Sequence, residues 1–334
     1  MAKQVTEHED FKKSPDSLNS DAIELSNVSD LIFEQRARWL KIRSLVTAVR
    51  ERIPAPVDHM GCHVLPENVL KLHSIASQNL QVLLSLLLSS QTKDQNTFAA
   101  MQAFRAYFEP DEITPIGILA TDESTIDQLI RGVGFHVKKA GYIKKIAGLL
   151  FNELKGQIPN SLPELIKLPG IGPKMGILYL QNARPYPGSD QLKNQNDDSF
   201  GLAVDTHILR LSQQWRLVTL PSHSSVATMT PELARAQLEQ IVPREQWKEA
   251  NPLLVGFGQT VCGARSKRCS DCDVSGTGLC SADQLNTTSA KRKIKQESLK
   301  IKDIEDLHVV KKEINHADQI VVHGRSLRPR KKKK

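Results

Sequence analysis

"LPGIGPKMG", Leu168 to Gly176, lies between two stretches with helical periodicity and contains two prolines and three glycines. We expect a tight hairpin between two helices. Gly170 and Gly172 should allow positive φ angles and a close approach of another molecule. Backbone N–H groups of such a turn, at the start of a helix, bind anions such as phosphate. The turn alone is equally compatible with binding of a nucleic-acid backbone and with a purely structural role.

A lysine follows the second proline of this turn. Pro173 suits the first turn of a helix, where its missing N–H costs nothing, and Lys174 comes next. The positive end of the helix dipole and partial burial both disfavour an ammonium at this position. A neutral amine there would be a nucleophile that can form a Schiff base with a sugar aldehyde carbon. A second phosphate contact is the alternative role, and charge alone favours that alternative.

The stretch "AVDTHILR", Ala203 to Arg210, places a carboxylate at the start of a later helix. A helix cap is the ordinary role of Asp205 in such a pattern. A carboxylate directed into a groove that binds a polyanion is costly, however, unless it takes part in chemistry. Asp205 would then stabilise positive charge on a deoxyribose ring, or move protons to and from Lys174.

The body of the chain, from about Leu31 to Cys262, shows helical periodicity and no Val- or Ile-rich series at strand spacing. Residues 31–53 form an amphipathic pattern that ends before Pro54. We therefore expect an all-α fold, interrupted by a polar surface loop at residues 183–201.

Composition excludes several classes of protein. At 40% apolar residues, the chain of 334 residues can bury a core. Its longest apolar run, residues 82–88, is too short to span a bilayer, so we expect a buried helix and no membrane segment. Residues 1–30 are acidic and polar, without the features of a signal peptide or a mitochondrial transit peptide. We expect this segment to be a disordered tail.

The C-terminal segment holds the charge surplus of the chain. Residues 281–334 contain 15 of the 45 Lys and Arg residues but 7 of the 37 Asp and Glu residues, a surplus equal to the chain's net charge of +8. The runs "KRKIK" and "RPRKKKK" indicate nuclear import, nonspecific nucleic-acid contact or a merely solvated tail. We expect residues 282–334 to be disordered and the protein to be nuclear, with a mitochondrial pool left open. Lys295 and Lys311 fit the SUMO attachment pattern, which also arises by chance in Lys-rich tails.

Four of the five cysteines lie within nineteen residues, while Cys62 stands alone. Without a secretory signal, a disulfide framework is disfavoured. The set is typical of one four-thiolate centre, either zinc or a [4Fe–4S] cluster, and zinc more commonly uses two separated CxxC knuckles. Its members, with gaps of six, two and seven residues, are Cys262, Cys269, Cys272 and Cys280.

The first gap of this cysteine set, "GARSKR", contains Arg265, Lys267 and Arg268. A loop that a metal centre fixes at both ends and that carries three cations is suited to binding phosphate. A solvated run of charge is the alternative.

Together these motifs resemble the endonuclease III family of bifunctional DNA glycosylase/AP lyases in base excision repair. "LPGIGPKMG" followed by "AVDTHILRL" is similar to the family's helix-hairpin-helix and Gly/Pro…Asp signature. The resemblance covers about Val57 to Cys280, and "SSQTKD", "GPKM" and "GFGQ" are similar to its eukaryotic branch. Further matches in the family's order are "LLLSSQTKD" (Leu86 to Asp94), "VGFHVKKAGYI" (Val133 to Ile143) and "LLVGFGQTVC" (Leu253 to Cys262).

The resemblance implies two helical lobes. One is a six-helix barrel with the helix-hairpin-helix, expected at residues 75–187. The other is a helical iron–sulfur cluster domain built from both ends of the body, residues 31–74 and 188–281. The four cysteines would hold a [4Fe–4S] cluster, although the last gap is two residues longer than in the family. Gly276 and Gly278 could let this longer loop bulge outward.

The resemblance also assigns roles to individual residues. It implies that Lys174 is the Schiff-base nucleophile and Asp205 its acidic partner. Gln91 matches the side chain that fills the gap left by a flipped-out nucleotide, and without the resemblance it is only a polar helix end. Phe135 lies where the family places an apolar wedge, commonly a leucine. A core phenylalanine is the alternative for Phe135.

The implied activity is removal of oxidised pyrimidines from duplex DNA, followed by β-elimination on the 3′ side of the abasic site. The expected partner of this monomer is double-stranded DNA with oxidised pyrimidines or abasic sites. A monofunctional adenine glycosylase of the same superfamily is disfavoured, because it lacks a lysine at the position of Lys174. A non-catalytic DNA-binding protein stays open, since it would need the hairpin and the basic arm but not the Lys174–Asp205 pair.

Overall fold

The computed structural model describes residues 15–186, 201–220 and 228–283. Apart from one isolated bridge between Cys262 and Lys267, these residues contain no strand pairing, so the predicted all-α fold is confirmed. The helices are α1 (Pro15–Arg52), α2 (Pro56–Met60), α3 (Glu67–Leu72), α4 (Ile75–Ser89), α5 (Asp94–Phe108), α6 (Pro115–Ala120), α7 (Glu123–Leu129), α8 (His136–Asn152), α9 (Leu162–Leu165), α10 (Pro173–Asn182), α11 (Thr206–Gln214), α12 (Pro231–Ile241) and α13 (Trp247–Thr260), with short 3-10 turns at Arg244–Gln246 and Cys269–Asp271.

The first hydrophobic core surrounds α4. Twelve of the 15 residues of α4 are buried, which confirms the prediction that the longest apolar run forms a buried helix. Its neighbours contribute Phe104 of α5, Ile143 and Leu150 of α8, and Tyr179 of α10. This core therefore uses residues from one continuous part of the chain.

The second core combines distant parts of the chain. Trp39 and Val46 of α1 pack with Trp215, which follows α11, and with Phe257 of α13. The ring centroids of Trp215 and Phe257 lie 5.8 Å apart. The two separate cores are consistent with the two predicted lobes. The predicted domain boundaries at residues 74/75 and 187/188 stay a prediction.

Helix α1 is longer than the sequence predicted. Its amphipathic part ends at Arg52, before Pro54, as predicted, and buries Trp39 and Val46. The helix begins at Pro15, however, so the prediction of a disordered tail over residues 1–30 is wrong from residue 15 onward. Proline is favourable at the first helical position, and extending an existing helix costs far less than nucleating a new one.

The short helix α2 joins the two cores. It contacts both α5 and α13, and Val57 packs with Ala55 against Val255 of α13. Gln259 Oε1 accepts a hydrogen bond from Val57 N at 3.2 Å, and Gln259 Nε2 donates to Asp94 Oδ2 at 2.7 Å. These contacts fix one side of the space between the cores.

No helix among the described residues combines the length and the apolar character needed to cross a membrane. Most of the polar loop predicted at residues 183–201 lies outside the described residues. The basic tail from residue 284 onward, with Lys295 and Lys311, also lies outside them.

Candidate active site

A cleft of about 860 Å³ opens between the two cores. The first core contributes the loop after α4 and the start of α10, and the second contributes the starts of α11 and α12 and part of α13. Four of the predicted site residues meet in this cleft, namely Gln91, Gly172, Lys174 and Asp205. Its lining also includes Cys62, His63, Asp94, His207, Arg235 and Gln259.

The hairpin turn places α10 at the edge of this cleft. Gly170 has a φ of +81°, as predicted, and a Cβ atom there would lie 2.5 Å from Tyr142 Cδ2 and 2.8 Å from Leu87 Cδ1. Gly172 instead has a φ of −102° and a ψ of 175°. Gly172 therefore does not adopt the positive φ that glycine permits, because this residue is the N-cap of α10 and N-caps adopt extended backbone. A Cβ atom at Gly172 would meet no other atom within 4 Å, so this residue leaves the backbone open to approach.

Lys174 and Asp205 face each other from the starts of two helices. Lys174 is the second residue of α10, and its Nζ lies 4.0 Å from Asp205 Oδ2. Asp205 Oδ1 accepts a hydrogen bond from Ile208 N at 2.8 Å and so caps α11. The side chain of Lys174 is 42% exposed and that of Asp205 is 11% exposed. The cap and the pairing with Lys174, which the sequence offered as alternatives, therefore occur together.

Gln91 and Phe135 lie in two loops beside the first core, one after α4 and one before α8. Gln91 is exposed, two residues after the end of α4, and Phe135 is the N-cap of α8. The Phe135 side chain is 63% exposed, so the alternative of a core phenylalanine is wrong. Phe135 does not line the cleft, and its contact with DNA stays a prediction.

Sequence reasoning missed Lys139, although it lies within the quoted stretch Val133 to Ile143. Only 4% of it is exposed, and its Nζ donates to Leu88 O at 2.8 Å and Ser90 O at 2.7 Å. Burial lowers the pKa of Lys139 to about 8. One signal was available, because Lys139, Ile143 and Leu150 recur at the spacing of a buried helix face.

Asp94 and Gln259 were also missed, although both lie within quoted motifs. Their hydrogen bond of 2.7 Å crosses from α5 to α13 and joins residues 165 positions apart in the chain. No local pattern predicts such a pairing. Cys62 lines the same cleft, and burial raises the pKa of its thiol.

The four clustered cysteines line one small cavity in the second lobe, together with Trp215, Phe257 and Val261. Burial raises the pKa of Cys272 to about 11 and also raises that of Cys280. Soft sulfur donors in an apolar setting suit a metal–sulfur centre. Among the described residues, no group of three or more His, Cys, Asp or Glu side chains is placed to hold a single metal ion.

The long last gap of the cysteine set folds partly inward. Val274 is fully buried in the second core, whereas Gly278 is exposed. Gly276 and Gly278 have φ angles of +77° and +79°, a left-handed backbone conformation that glycine adopts readily. Only the Gly278 end of the loop therefore fits the predicted outward bulge.

The three cations of the first gap lie outside the cleft lining. Arg268 Nε donates to Asp271 Oδ2 at 2.7 Å, so this guanidinium has a partner. Lys267 is half-buried and forms the isolated bridge with Cys262, while Arg265 is exposed. The predicted phosphate contact of these residues stays a prediction.

Comparison with known proteins shows similarity well beyond the individual motifs. Residues 84–242 match the model of the HhH-GPD superfamily base excision DNA repair proteins. The chain is 40% identical over 235 residues to endonuclease III-like protein 1 of Bos taurus. This alignment covers 70% of this chain and 68% of that one. It is 36% identical to the endonuclease III homolog of Encephalitozoon cuniculi, over 73% of this chain and 94% of that one. It spans 62% of the length of the chloroplastic endonuclease III homolog 1 of Arabidopsis thaliana, at 38% identity over 77% of this chain.

A solved structure shows the same fold. The trapped covalent intermediate of an endonuclease III with DNA matches with a TM-score of 0.56 and 22% identity, over 75% of this chain and 98% of that one. The hairpin and the cleft thus define a helix-hairpin-helix protein of the base excision repair superfamily. Within that superfamily, the chain belongs to the endonuclease III family.

Proposed function

We propose that the protein is a bifunctional DNA N-glycosylase and AP lyase that removes oxidised pyrimidines from duplex DNA. The observation that carries this proposal is the pair of Lys174 Nζ and Asp205 Oδ2, 4.0 Å apart in the cleft. An accessible amine beside a carboxylate is the arrangement that Schiff-base chemistry on a sugar requires.

Lys174 supplies the nucleophile. The lone pair of Nζ forms a bond to C1′ of the damaged nucleotide, and the base leaves with the electron pair of the broken C1′–N bond and takes up a proton. Opening of the sugar ring and loss of a proton from Nζ then give the Schiff base. This intermediate acidifies C2′–H. Removal of that proton expels the 3′ phosphate with the electrons of the C3′–O bond, and water then releases Lys174.

Asp205 stabilises the positive charge that develops on the sugar and accepts and returns protons. Its Oδ1 is held by Ile208 N at 2.8 Å, so Oδ2 remains on the side of Lys174. The start of α11 thus fixes the carboxylate before the substrate binds.

The remaining predicted residues bind DNA in this proposal. The cleft receives the flipped-out base, Gln91 fills the gap it leaves, and Phe135 enters the base stack. The exposure of both side chains supports this role. The open backbone at Gly172 and the start of α10 hold a phosphate. The cations Arg265, Lys267 and Arg268 add contacts to the DNA backbone.

We propose that Cys262, Cys269, Cys272 and Cys280 hold a [4Fe–4S] cluster. Their common cavity supports this proposal. The four thiolates of such a cluster surround a group of several atoms, whereas zinc ligands surround a single ion. When bound, the cluster stabilises the surrounding fold, and base removal uses the residues of the cleft.

The proposals for the whole chain rest on its sequence. We propose a monomer that enters the nucleus through its two basic runs, and SUMO conjugation at Lys295 or Lys311. Sedimentation at equilibrium tests the monomer, and fluorescence microscopy of chains with and without residues 284–334 tests the import. An unshifted band after incubation with the conjugation enzymes would dismiss the modification.

Borohydride trapping tests the enzyme proposal. Duplex DNA with one oxidised thymine is incubated with the wild type, with Lys174→Gln and with Lys93→Gln, and borohydride reduces any Schiff base to a stable amine. Lys93 also lines the cleft, so Lys93→Gln makes the same charge change without removing the proposed nucleophile. We expect a covalent adduct with the wild type and Lys93→Gln, and none with Lys174→Gln.

The same experiment tests the second candidate, a non-catalytic DNA-binding protein. Binding of the duplex by all three proteins without any adduct would favour that candidate. Undiminished strand cleavage by Lys174→Gln would remove Lys174 from the mechanism.

A further inference from the structure

The loops that carry Gln91 and Phe135 share an uncommon backbone conformation. Gln91 has a φ of 52° and Phe135 a φ of 58°, in the left-handed region that costs non-glycine residues free energy. Lys155 and Arg216 are the only other non-glycine residues with positive φ in the described ranges. Such conformations persist where the surrounding contacts impose them. The two loops must therefore be held by their neighbours.

Hydrogen bonds and direct contact join the two loops. Gly134 N donates to Thr92 Oγ1 at 3.1 Å, and Thr92 Oγ1 donates to Ser90 O at 3.1 Å. A Cβ atom on Gly134 would lie 2.7 Å from Gln91 O. The loop before Phe135 thus lies directly against the backbone of Gln91, and a side chain at position 134 would separate them.

Lys139 lies at the centre of this junction. Its Nζ donates to Leu88 O and Ser90 O and lies 3.4 Å from Thr92 Oγ1. Its backbone N donates to Phe135 O at 3.0 Å. No carboxylate forms an ion pair with Lys139 within the part of the chain that the structure describes. A buried ammonium without an acidic partner is costly, and these oxygen atoms are its compensation.

We propose that Lys139 is a positioning residue that holds Gln91 and Phe135 as one rigid unit for insertion into the DNA stack. This inference rests on the proposed function. Lys139 does not line the cleft and touches no reacting atom. It acts through Ser90 O, beside Gln91, and through the first turn of α8, whose N-cap is Phe135. A unit ordered in advance loses less conformational entropy on binding than two independent loops.

A second lysine of α8 separates this role from ordinary helix capping. Lys144 Nζ donates to three carbonyl oxygens at the end of α6, those of Ile118, Leu119 and Thr121, at 3.2, 2.7 and 2.7 Å. Both lysines satisfy free carbonyls of a neighbouring helix. Only Lys139 reaches the loops of Gln91 and Phe135, so Lys144→Met is the matched control for Lys139→Met.

Stopped-flow fluorescence of 2-aminopurine measures insertion. The probe lies beside the partner of an oxidised thymine, and all proteins carry Lys174→Gln so that chemistry does not follow binding. We expect Lys139→Met to slow the fluorescence rise about tenfold and Lys144→Met to leave it within twofold. Without Lys174→Gln, single-turnover base excision should fall about tenfold for Lys139→Met alone. Melting temperatures report the stability lost by each variant.

Three outcomes decide the inference. Insertion that slows for Lys139→Met and not for Lys144→Met, at similar melting temperatures, supports it. Equal insertion rates in the two variants overturn it. If Lys139→Met does not fold, insertion by Thr92→Val is measured instead. This variant removes the hydroxyl that hydrogen-bonds both Gly134 N and Ser90 O. Unchanged insertion by that variant overturns the inference. Failure of the wild type to excise the base would instead reject the proposed function.

Discussion

At the scale of single residues, the two carboxylate oxygens of Asp205 face different partners. Oδ1 caps α11, and Oδ2 faces Lys174 at 4.0 Å. Helix starts are places where a carboxylate is already favourable, because the helix dipole and the free N–H groups stabilise negative charge. The carboxylate proposed to take part in catalysis therefore also stabilises the fold.

Replacement of Asp205 by asparagine should separate these two tasks. Asparagine caps helices about as well as aspartate, so we expect the free energy of unfolding of Asp205→Asn to change by less than about 0.5 kcal/mol. Single-turnover base excision should fall by about 10² or more, since the amide carries no charge and accepts no proton. Asp205→Ala should lose the same activity and in addition about 1 kcal/mol of stability. Normal excision by Asp205→Asn would remove its catalytic role.

Burial of Lys139 predicts a change of stability with pH. Its pKa is lowered from 10.5 to about 8 in the folded protein. Between these values the unfolded chain binds a proton that the folded protein has released, so the free energy of unfolding rises with pH. This one group contributes at most about 1.4 kcal/mol per pH unit. Urea unfolding from about pH 8 to pH 10 should show the wild type gaining stability relative to Lys139→Met, and a constant difference would contradict this.

At the scale of elements, the sequence predicted the structures that depend on local chemistry. Asp205 caps α11, with its Oδ1 accepting from Ile208 N at 2.8 Å, and α1 ends before Pro54. Of the two hairpin glycines only Gly170 has a positive φ, because glycine permits that conformation without requiring it. The sequence also did not predict the helix at residues 15–30. A polar composition argues against burial of this segment but not against its forming an extension of an existing helix.

The two hairpin glycines should differ sharply when each is replaced by alanine. Gly170→Ala combines a φ of +81° with contacts of 2.5 and 2.8 Å to Tyr142 and Leu87, so it should cost about 2 kcal/mol or more. Gly172→Ala has extended backbone and open space, and it should cost at most about 1 kcal/mol as an N-cap change. Urea unfolding of the two variants tests this order, and equal losses would contradict the geometry of the turn.

At the scale of the whole molecule, the site depends on contacts that no local pattern contains. The cleft exists because α1, from one end of the described chain, packs with α11–α13 from the other. The hydrogen bond between Asp94 and Gln259 crosses this junction. The motifs predicted Lys174 and Asp205 as site residues, but their distance follows from the packing of two lobes. The buried position of Lys139 likewise depends on the carbonyls of α4, an element remote in sequence.

The cysteine loop ties the second lobe to the site through Arg210 of α11. Arg210 Nη2 donates to Cys262 O at 2.6 Å, and α11 begins at the Asp205 cap. Removal of a proposed cluster ligand by Cys272→Ala should therefore loosen α11 to α13 and leave α4 to α10 protected, because the two cores are separate. Hydrogen exchange measured by mass spectrometry should show faster exchange in the second core alone, together with loss of visible absorbance.

The lone cysteine provides the matched control for this prediction. Cys62 packs against the first core and lies outside the cavity of the other four, so Cys62→Ala should keep the visible absorbance and the exchange rates of the second core. Absorbance that survives Cys272→Ala would show that Cys272 is not a ligand. Uniformly faster exchange in both cores would show that the lobes unfold as one unit. In that case, loss of the proposed cluster would also loosen the loops that carry Gln91 and Phe135.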